Sequence, residues 1–117
     1  MPRNVGPAVV GDWILYEPRR RIATRVLPRR NTLARNRPGH AARRQILASN
    51  VDLTLIVVGL DRAVNARQIE RYLLCALESG ARAVIALNKA DLASCPGEAV
   101  SAMRQADPRH PLSLIHI

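Results

Sequence analysis

The amino-acid sequence predicts a small, partial β barrel followed by an α/β domain. Within the first 47 residues, short apolar runs alternate with basic, breaker-rich turns, which is typical of short strands. From Asn50 onward, an apolar run, an amphipathic segment and a second apolar run follow one another, which is the order of a β-α-β unit. We therefore predict a barrel-like domain at residues 1–47 and an α/β domain at residues 48–117.

Charge separates the same two parts of the chain. Residues 1–47 hold 11 arginines against Asp12 and Glu17, whereas residues 48–117 hold seven basic and seven acidic side chains. Such an asymmetry indicates a polyanionic partner such as RNA, although a merely solvated basic surface would have the same composition. The arginines expected to contact phosphates are Arg19, Arg20, Arg21, Arg29, Arg30, Arg35, Arg37, Arg43 and Arg44.

The barrel strands are predicted at residues 8–16 and 22–27 and near Leu33, and the run at 45–48 leads toward the second part of the chain. Short strands with basic loops favour an OB-like barrel, a common nucleic-acid-binding fold, but about forty residues are few for its five strands. Trp13 and Tyr16 could stack on RNA bases. Because they are three positions apart on one strand, we expect one of them to lie in the core.

The α/β part is predicted to contain strands at 53–59 and 83–87 and helices between them and at 97–106. Asn65 can cap the first helix, and Gly80 can end it in the left-handed conformation. The apolar positions of that helix are Ile69, Tyr72, Leu73, Ala76 and Leu77. The run at 111–117 either begins a third strand or is a junction appended to an incomplete reading frame, and we favour the second.

One tetrapeptide carries chemistry, and it contains the only lysine of the chain. Asn88-Lys89-Ala90-Asp91 follows the second strand of the β-α-β unit, and Asn-Lys-x-Asp is the motif by which GTPases recognise guanine. Asp91 can accept hydrogen bonds from the two nitrogen donors of guanine, which adenine lacks. Asn88 can contact the remaining edge of the base, and the Lys89 stem can lie along its plane. Alternatively, Asn88 and Asp91 merely cap a strand-end turn.

No phosphate-loop motif of the form Gly-x-x-x-x-Gly-Lys-Ser/Thr occurs in the sequence. In ordinary GTPases that loop precedes the guanine motif. Either the protein is not a GTPase, or the order of motifs is permuted and the phosphate loop lies beyond residue 117.

The order of several motifs resembles the bacterial ribosome small-subunit-dependent GTPase A family, whose members are circularly permuted GTPases with an N-terminal OB domain. The resemblance runs from about Val10 to Leu92. The segments that carry it are Gly11-Asp12-Trp13, 27–33, 48–52, 69–73 and Leu87-Asn88-Lys89-Ala90-Asp91-Leu92. Full members continue with the phosphate loop, switch regions and a zinc-binding domain, so the chain corresponds to a truncated fragment of a permuted P-loop GTPase.

The resemblance implies a GTP hydrolase that acts in late maturation of the small (30S) ribosomal subunit, with Asn88, Lys89, Ala90 and Asp91 binding GTP. Small-subunit rRNA would be the partner of the OB domain. Mg²⁺ and Zn²⁺ are expected only in the full-length protein, and the fragment itself is expected to be inactive, monomeric and marginally stable.

Two other functions fit the sequence. One is a non-enzymatic, basic RNA-binding module, and the other is a guanine-nucleotide sensor without hydrolysis. Cys75 and Cys95 have no metal or disulfide spacing, and no signal-like or membrane-spanning run is present, so we expect a cytoplasmic protein without membrane contact.

Overall fold

The computed structural model of the protein describes residues 7–36, 39, 44–106 and 112–114. Contacts along the chain divide it into two compact units. The first unit consists of Met1–Asp52 with Glu78–Gly80, and the second consists of Leu53–Leu77 with Ala81–Ile117. Within the described ranges, no helix is long and apolar enough to cross a membrane.

The first unit contains two antiparallel strand pairs. Strand β1 (Ile14–Glu17) pairs with β2 (Ile22–Val26), and β3 (Thr32–Asn36) pairs with β4 (Arg44–Ser49). Each pair has one register irregularity, at Leu15/Tyr16 and at Leu33/Ala34. An extra residue at such a position bends a strand and increases its twist, as in strongly curved sheets.

The strands of the first unit do not close into a barrel in the described part of the chain. The two pairs are separate two-stranded sheets. They are connected through the segment before β1, where Val10 forms a parallel bridge with Ala48 and Trp13 O accepts a hydrogen bond from Leu27 N. The described part of the first unit therefore shows two small sheets joined by this connection, without continuous pairing between β1–β2 and β3–β4. An OB-like arrangement remains a prediction.

The second unit is built on a parallel sheet with the order β5-β6-β7. Strand β5 (Leu53–Gly59) pairs with β6 (Arg82–Asn88) over its whole length, and β6 pairs with β7 (Leu112–Leu114). The predicted β-α-β unit is thus present, and each observed strand is longer than its predicted range by at most one residue at either end. The final run of the chain forms a strand at β7, which is the alternative that its sequence favours less; residues 111 and 115–117 lie outside the described ranges.

Helix α1 (Ala66–Ser79) begins and ends where the local sequence predicts. Asn65 Oδ1 accepts the backbone N–H of Gln68 at 3.2 Å, which satisfies one of the unpaired donors of the first turn. Gly80 follows the last residue with φ of 76°, a conformation that glycine adopts without steric cost. Helix α2 (Pro96–Ala106) occupies the second predicted helical segment.

The apolar core of the second unit lies on one side of the sheet. Its members are Ile56, Leu60, Ile69, Ala76, Ala83, Ile85, Leu87 and Met103. In β5 only alternate residues are covered, and Leu53, Leu55 and Val57 are about half exposed. Tyr72 and Leu77, which the helical spacing assigns to the apolar face of α1, are also exposed, because the core contacts that helix along a narrower stripe.

Candidate functional site

The ends of two parallel strands bring the motif residues to one edge of the sheet. Gly59 and Asn88, the last residues of β5 and β6, are directly paired, and Leu60 N donates a hydrogen bond to Asn88 O at 2.9 Å. In open α/β sheets, ligands bind outside the carboxyl ends of the strands. The residues that follow Gly59 and Asn88 therefore occupy the edge at which a ligand site is expected.

A left-handed residue turns the chain at the end of β6. Lys89 has φ of 58° and ψ of 41°, and Asn88 Oδ1 accepts its backbone N–H at 2.8 Å. A short 3₁₀ helix over Ala90–Leu92 follows, with Leu92 N donating to Lys89 O. Asp91, in this helix, is exposed. The tight turn thus presents Lys89 and Asp91 close together at the strand end, although the Asn88 amide oxygen is engaged by the turn itself.

Asp61 holds the ammonium group of Lys89. The distance from Lys89 Nζ to Asp61 Oδ2 is 2.8 Å, and the two side chains are 44% and 23% exposed. The hydrogen bond from Lys89 lowers the pKa of the Asp61 carboxyl below its ordinary value, although partial burial opposes this. Sequence reasoning missed Asp61. Its position just after the end of β5 was the available signal, because that is the ligand-binding edge of the sheet.

An open cleft with a volume of about 570 Å³ lies beside this ion pair. The cleft is lined by the end of β5, the loop that follows it, the start of α1 and the motif. The lining includes Gly59, Asp61, Gln68, Tyr72, Asn88 and Lys89. Tyr72 is 44% exposed there, and its hydroxyl accepts a hydrogen bond from Gln68 Nε2. The structure therefore brings Asn88 and Lys89 to the cleft, whereas Asp91 is not part of its lining.

The sequence also matches a protein-family model. The model, described as RsgA GTPase, matches residues 26–110, which is more than half of the chain and includes the motif at 88–91. The chain belongs to the RsgA GTPase family. The resemblance found in the motif order is thereby confirmed.

Curated RsgA relatives are much longer than this chain. The small ribosomal subunit biogenesis GTPase RsgA of Xylella fastidiosa (strain 9a5c) is 43% identical over 98 residues, which cover 84% of this chain and 28% of that protein. The RsgA protein of Xanthomonas euvesicatoria pv. vesicatoria (strain 85-10) is 38% identical over 110 residues, covering 93% of this chain and 30% of the relative. The chain thus spans less than a third of the length of these relatives.

The fold is similar to that of a solved structure, the crystal structure of YjeQ from Thermotoga maritima. The TM-score is 0.64 and the sequence identity 22%, and the match covers 95% of this chain and 38% of the other. At this identity the comparison concerns the fold alone, and it accords with the small sheets and two helices of this RsgA-family chain.

The arginines predicted to bind RNA are placed differently within the first unit. Arg19, Arg20 and Arg21 are exposed in the turn between β1 and β2, with Arg20 Nε 3.7 Å from Glu17 Oε1. Arg30, Arg35 and Arg44 are also exposed, and the Arg30 guanidinium contacts the exposed carboxylate of Asp52 at 2.6 Å. Arg37 and Arg43 lie outside the described residues.

Arg29 differs from these because its guanidinium lies against Asp12. Its Nε and Nη2 atoms each donate to one carboxylate oxygen of Asp12 at 2.7 Å, and its side chain is 24% exposed. The cation thus has a structural partner within its own unit, which sequence reasoning did not anticipate.

Both aromatic residues near β1 are on the surface. Trp13 is 70% exposed and Tyr16 is 54% exposed, so the expectation that one of them lies in the core is wrong. The chain before Ile14 is not in a regular strand, and a bulge follows Leu15, so the simple alternation of faces does not apply here. Both rings are accessible for stacking on a ligand, and that role remains a prediction.

Proposed function

We propose that the protein binds and hydrolyses GTP as a factor for late maturation of the small ribosomal subunit. The observation that carries this proposal is the placement of Asn88–Asp91 at the carboxyl end of a parallel strand, next to the end of β5. Membership of the RsgA GTPase family supports it, as do relatives named small ribosomal subunit biogenesis GTPases. Since those relatives are about three times as long, the activity belongs to the full-length protein.

In this proposal the motif selects guanine. The exposed Asp91 carboxylate accepts hydrogen bonds from the ring N–H and amino group of the base, and the Lys89 stem lies along the base plane. Asn88 contributes its amide to the remaining edge of the base, and the Ala90 backbone forms the turn that joins these groups. Once a bound base covers the Asp91 carboxylate, adenine would leave it without a hydrogen-bond donor, which gives strong discrimination against adenine.

The basic first unit is the proposed rRNA-binding part. We assign it as an OB-like domain at residues 1–47, followed by the start of the permuted GTPase domain at 48–117. Exposed arginines of the β1–β2 turn and of β3 supply positive charge, and accessible rings at Trp13 and Tyr16 supply stacking surfaces. Arg29 is the exception, because its ion pair with Asp12 is largely buried, with the two side chains 24% and 1% exposed.

GTP is the proposed ligand, with Mg²⁺ bound to its phosphates and Zn²⁺ held elsewhere in the full-length protein. In the described part of the chain, no group of three His, Cys, Asp or Glu side chains is placed to hold a metal, so none of these residues is assigned to either ion. We propose that the protein acts as a monomer in the cytoplasm, where small ribosomal subunits mature.

The proposal is tested by GTP hydrolysis of the full-length protein with and without purified small ribosomal subunits. We expect subunits to stimulate hydrolysis. Asp91→Asn should weaken GTP binding by about 100-fold or more and should favour xanthosine triphosphate, whose C2 carbonyl oxygen can accept a hydrogen bond from the new amide. Glu70→Gln, which removes an exposed acid from α1, is the matched control and should leave GTP binding unchanged.

Two results would favour the other functions. GTP binding without hydrolysis, even with subunits present, would indicate a guanine-nucleotide sensor. RNA binding without GTP binding, unaffected by Asp91→Asn, would indicate a non-enzymatic RNA-binding module.

A further inference from the structure

The Lys89 side chain is tied to the neighbouring strand end by a specific contact. Lys89 follows β6 and Asp61 follows β5, and the pairing of Gly59 with Asn88 places these two strand ends side by side. Across them, Nζ of Lys89 lies 2.8 Å from Oδ2 of Asp61. The two residues are 28 positions apart in sequence, so the contact depends on the parallel register.

Gly59 provides the space that this contact needs. A Cβ atom at position 59 would lie 2.5 Å from Oδ1 of Asp61 and 4.0 Å from Cδ of Lys89. Real Cβ atoms do not approach an oxygen so closely, so any larger residue would displace the Asp61 carboxylate. The aliphatic stem of Lys89 passes over the same backbone position. The absence of a side chain at Gly59 therefore leaves room for both Asp61 and Lys89.

The ion pair is partly sheltered from solvent. The Asp61 side chain is 23% exposed, and Lys89 lowers the pKa of its carboxyl by hydrogen bonding, with a smaller contribution from the nearby Arg62. Among the described residues, Lys89 and Arg62 are the cations whose charges favour the ionised Asp61 carboxylate. A free lysine side chain samples many rotamers, and fixing it costs conformational entropy.

We propose that Asp61 is a positioning residue for guanine-nucleotide binding: it holds the Lys89 side chain across Gly59 before the nucleotide arrives. This inference rests on the proposed function of the motif. A lysine that is already ordered loses less entropy when it packs against the base, which tightens binding. Asp61 acts through Lys89 and is not assigned a contact with the nucleotide.

The test measures the affinity of the full-length protein for GDP carrying a fluorescent ribose label. Asp61→Asn should weaken binding by about 2- to 10-fold, the range expected when one flexible side chain is no longer ordered in advance. In the Lys89→Met background, Asp61→Asn should have no further effect, since there is no ammonium left to position. Glu70→Gln is the control for removal of a negative charge from the same unit and should bind GDP like the unsubstituted protein.

A second variant reaches the same contact through the backbone. Gly59→Ala should weaken GDP binding to a similar degree as Asp61→Asn, because the new methyl group displaces the carboxylate. Gly97→Ala is its matched control, since a Cβ at position 97 meets no atom of the described part of the chain within 4 Å. Thermal unfolding of each variant shows that it is folded.

The outcomes distinguish failure of the positioning role of Asp61 from failure of the proposed nucleotide-binding function. If the unsubstituted protein binds no GDP, the proposed function fails and the positioning role fails with it. If it binds GDP but Asp61→Asn and Gly59→Ala bind equally well, the positioning role alone is overturned. Tighter binding by Asp61→Asn, or an undiminished effect in the Lys89→Met background, also overturns it, because Asp61 would then compete with the nucleotide or act independently of Lys89.

Discussion

Arg29 binds Asp12 at two points, with Nε 2.7 Å from Oδ1 and Nη2 2.7 Å from Oδ2. The same carboxylate accepts hydrogen bonds from Ser49 Oγ at 2.6 Å and from Val9 N at 2.9 Å, and its side chain is only 1% exposed. Asp12 therefore links the segment before β1, the segment before β3 and the end of β4.

The first prediction concerns Asp12→Asn, which removes the negative charge and one of the two acceptor oxygens from the Asp12 centre, the carboxylate together with Arg29, Ser49 and Val9. We expect the amides of Val9 and Ser49 to exchange with solvent roughly tenfold faster or more, because charge-assisted hydrogen bonds that hold their segments are removed. Hydrogen exchange of the full-length protein, measured peptide by peptide, gives the result.

The control for that change is Asp52→Asn. Asp52 also pairs with an arginine, but its side chain is 77% exposed, and exposed ion pairs contribute little. Equal acceleration of exchange in both variants would show that the Asp12 centre does not hold the first unit together.

The second prediction is an acid dependence of the first unit. Arg29, Ser49 and Val9 hold the pKa of Asp12 well below its ordinary value of 3.8. In the unfolded chain Asp12 takes up a proton near that ordinary value, whereas in the folded chain it stays ionised to a lower pH. Proton uptake therefore favours unfolding. The stabilisation is present above about pH 4 and declines as the pH falls toward the lower folded pKa.

Urea unfolding of the first unit at several pH values between about 2 and 5 measures this decline. The Asp12→Asn variant should show a shallower pH dependence, because it has no carboxyl to titrate at this site. Identical pH profiles for the variant and the unsubstituted protein would contradict the prediction.

The third prediction concerns Gly11, which precedes Asp12 and lies against the backbone of Ser49. Its φ is 90°, and a Cβ atom there would collide with the carbonyl oxygen of Ser49. We expect Gly11→Ala to destabilise the first unit by at least about 3 kcal/mol, since backbone strain and a steric clash add. Gly39→Ala is the matched control: φ is 81° there, but no atom of the described residues lies within 4 Å of a Cβ, so only the strain of about 1–2 kcal/mol is expected.

The fourth prediction tests the core of the second unit. Leu87 lies in the central strand of the sheet and is fully buried. Its register partners on the neighbouring strands are Val58 and Leu114. Leu87→Ala should lower the free energy of unfolding by about 2–5 kcal/mol, as reduced burial and a cavity combine. Leu77→Ala removes the same atoms from a 70% exposed position and should change it by less than about 0.5 kcal/mol. Urea unfolding of the two variants compares them directly.

Local sequence signals predict the second unit well. Asn65 and Gly80 mark the ends of α1 because capping depends on residues within a few positions of each other. The strand before Asn88 is recognisable because its apolar run lies at the centre of the sheet, between β5 and β7. The position of the motif at a strand end follows from the same local pattern.

Contacts between distant segments could not be predicted in this way. The pair of Asp61 with Lys89 depends on the register of two strands, and the pair of Asp12 with Arg29 depends on how loops meet in the first unit. Nothing in the composition distinguishes Arg29 from its exposed neighbours. Barrel closure is likewise a non-local property, and the exposed face of β5 reflects which elements cover it rather than its own apolar sequence.

The last prediction concerns the arginines of the β1–β2 turn and their effect on RNA affinity. Replacing Arg19, Arg20 and Arg21 by glutamine in the full-length protein should weaken binding to small-subunit rRNA. It should also reduce the slope of log affinity against log salt concentration by about 0.7 for each phosphate that these arginines neutralise, or about 2 in all. Because these side chains are exposed, the fold should be unaffected.

A charge-matched variant separates a local contact from a general effect of net charge. Arg67, Arg71 and Arg104 are exposed arginines of the second unit, and replacing them by glutamine removes the same total charge. Long-range attraction alone would weaken RNA binding equally in both triple variants, because each lowers the net charge by three. A reduced salt dependence confined to the Arg19–Arg21 variant would place phosphate contacts at the turn, whereas equal slopes in both variants would show that this turn does not bind RNA.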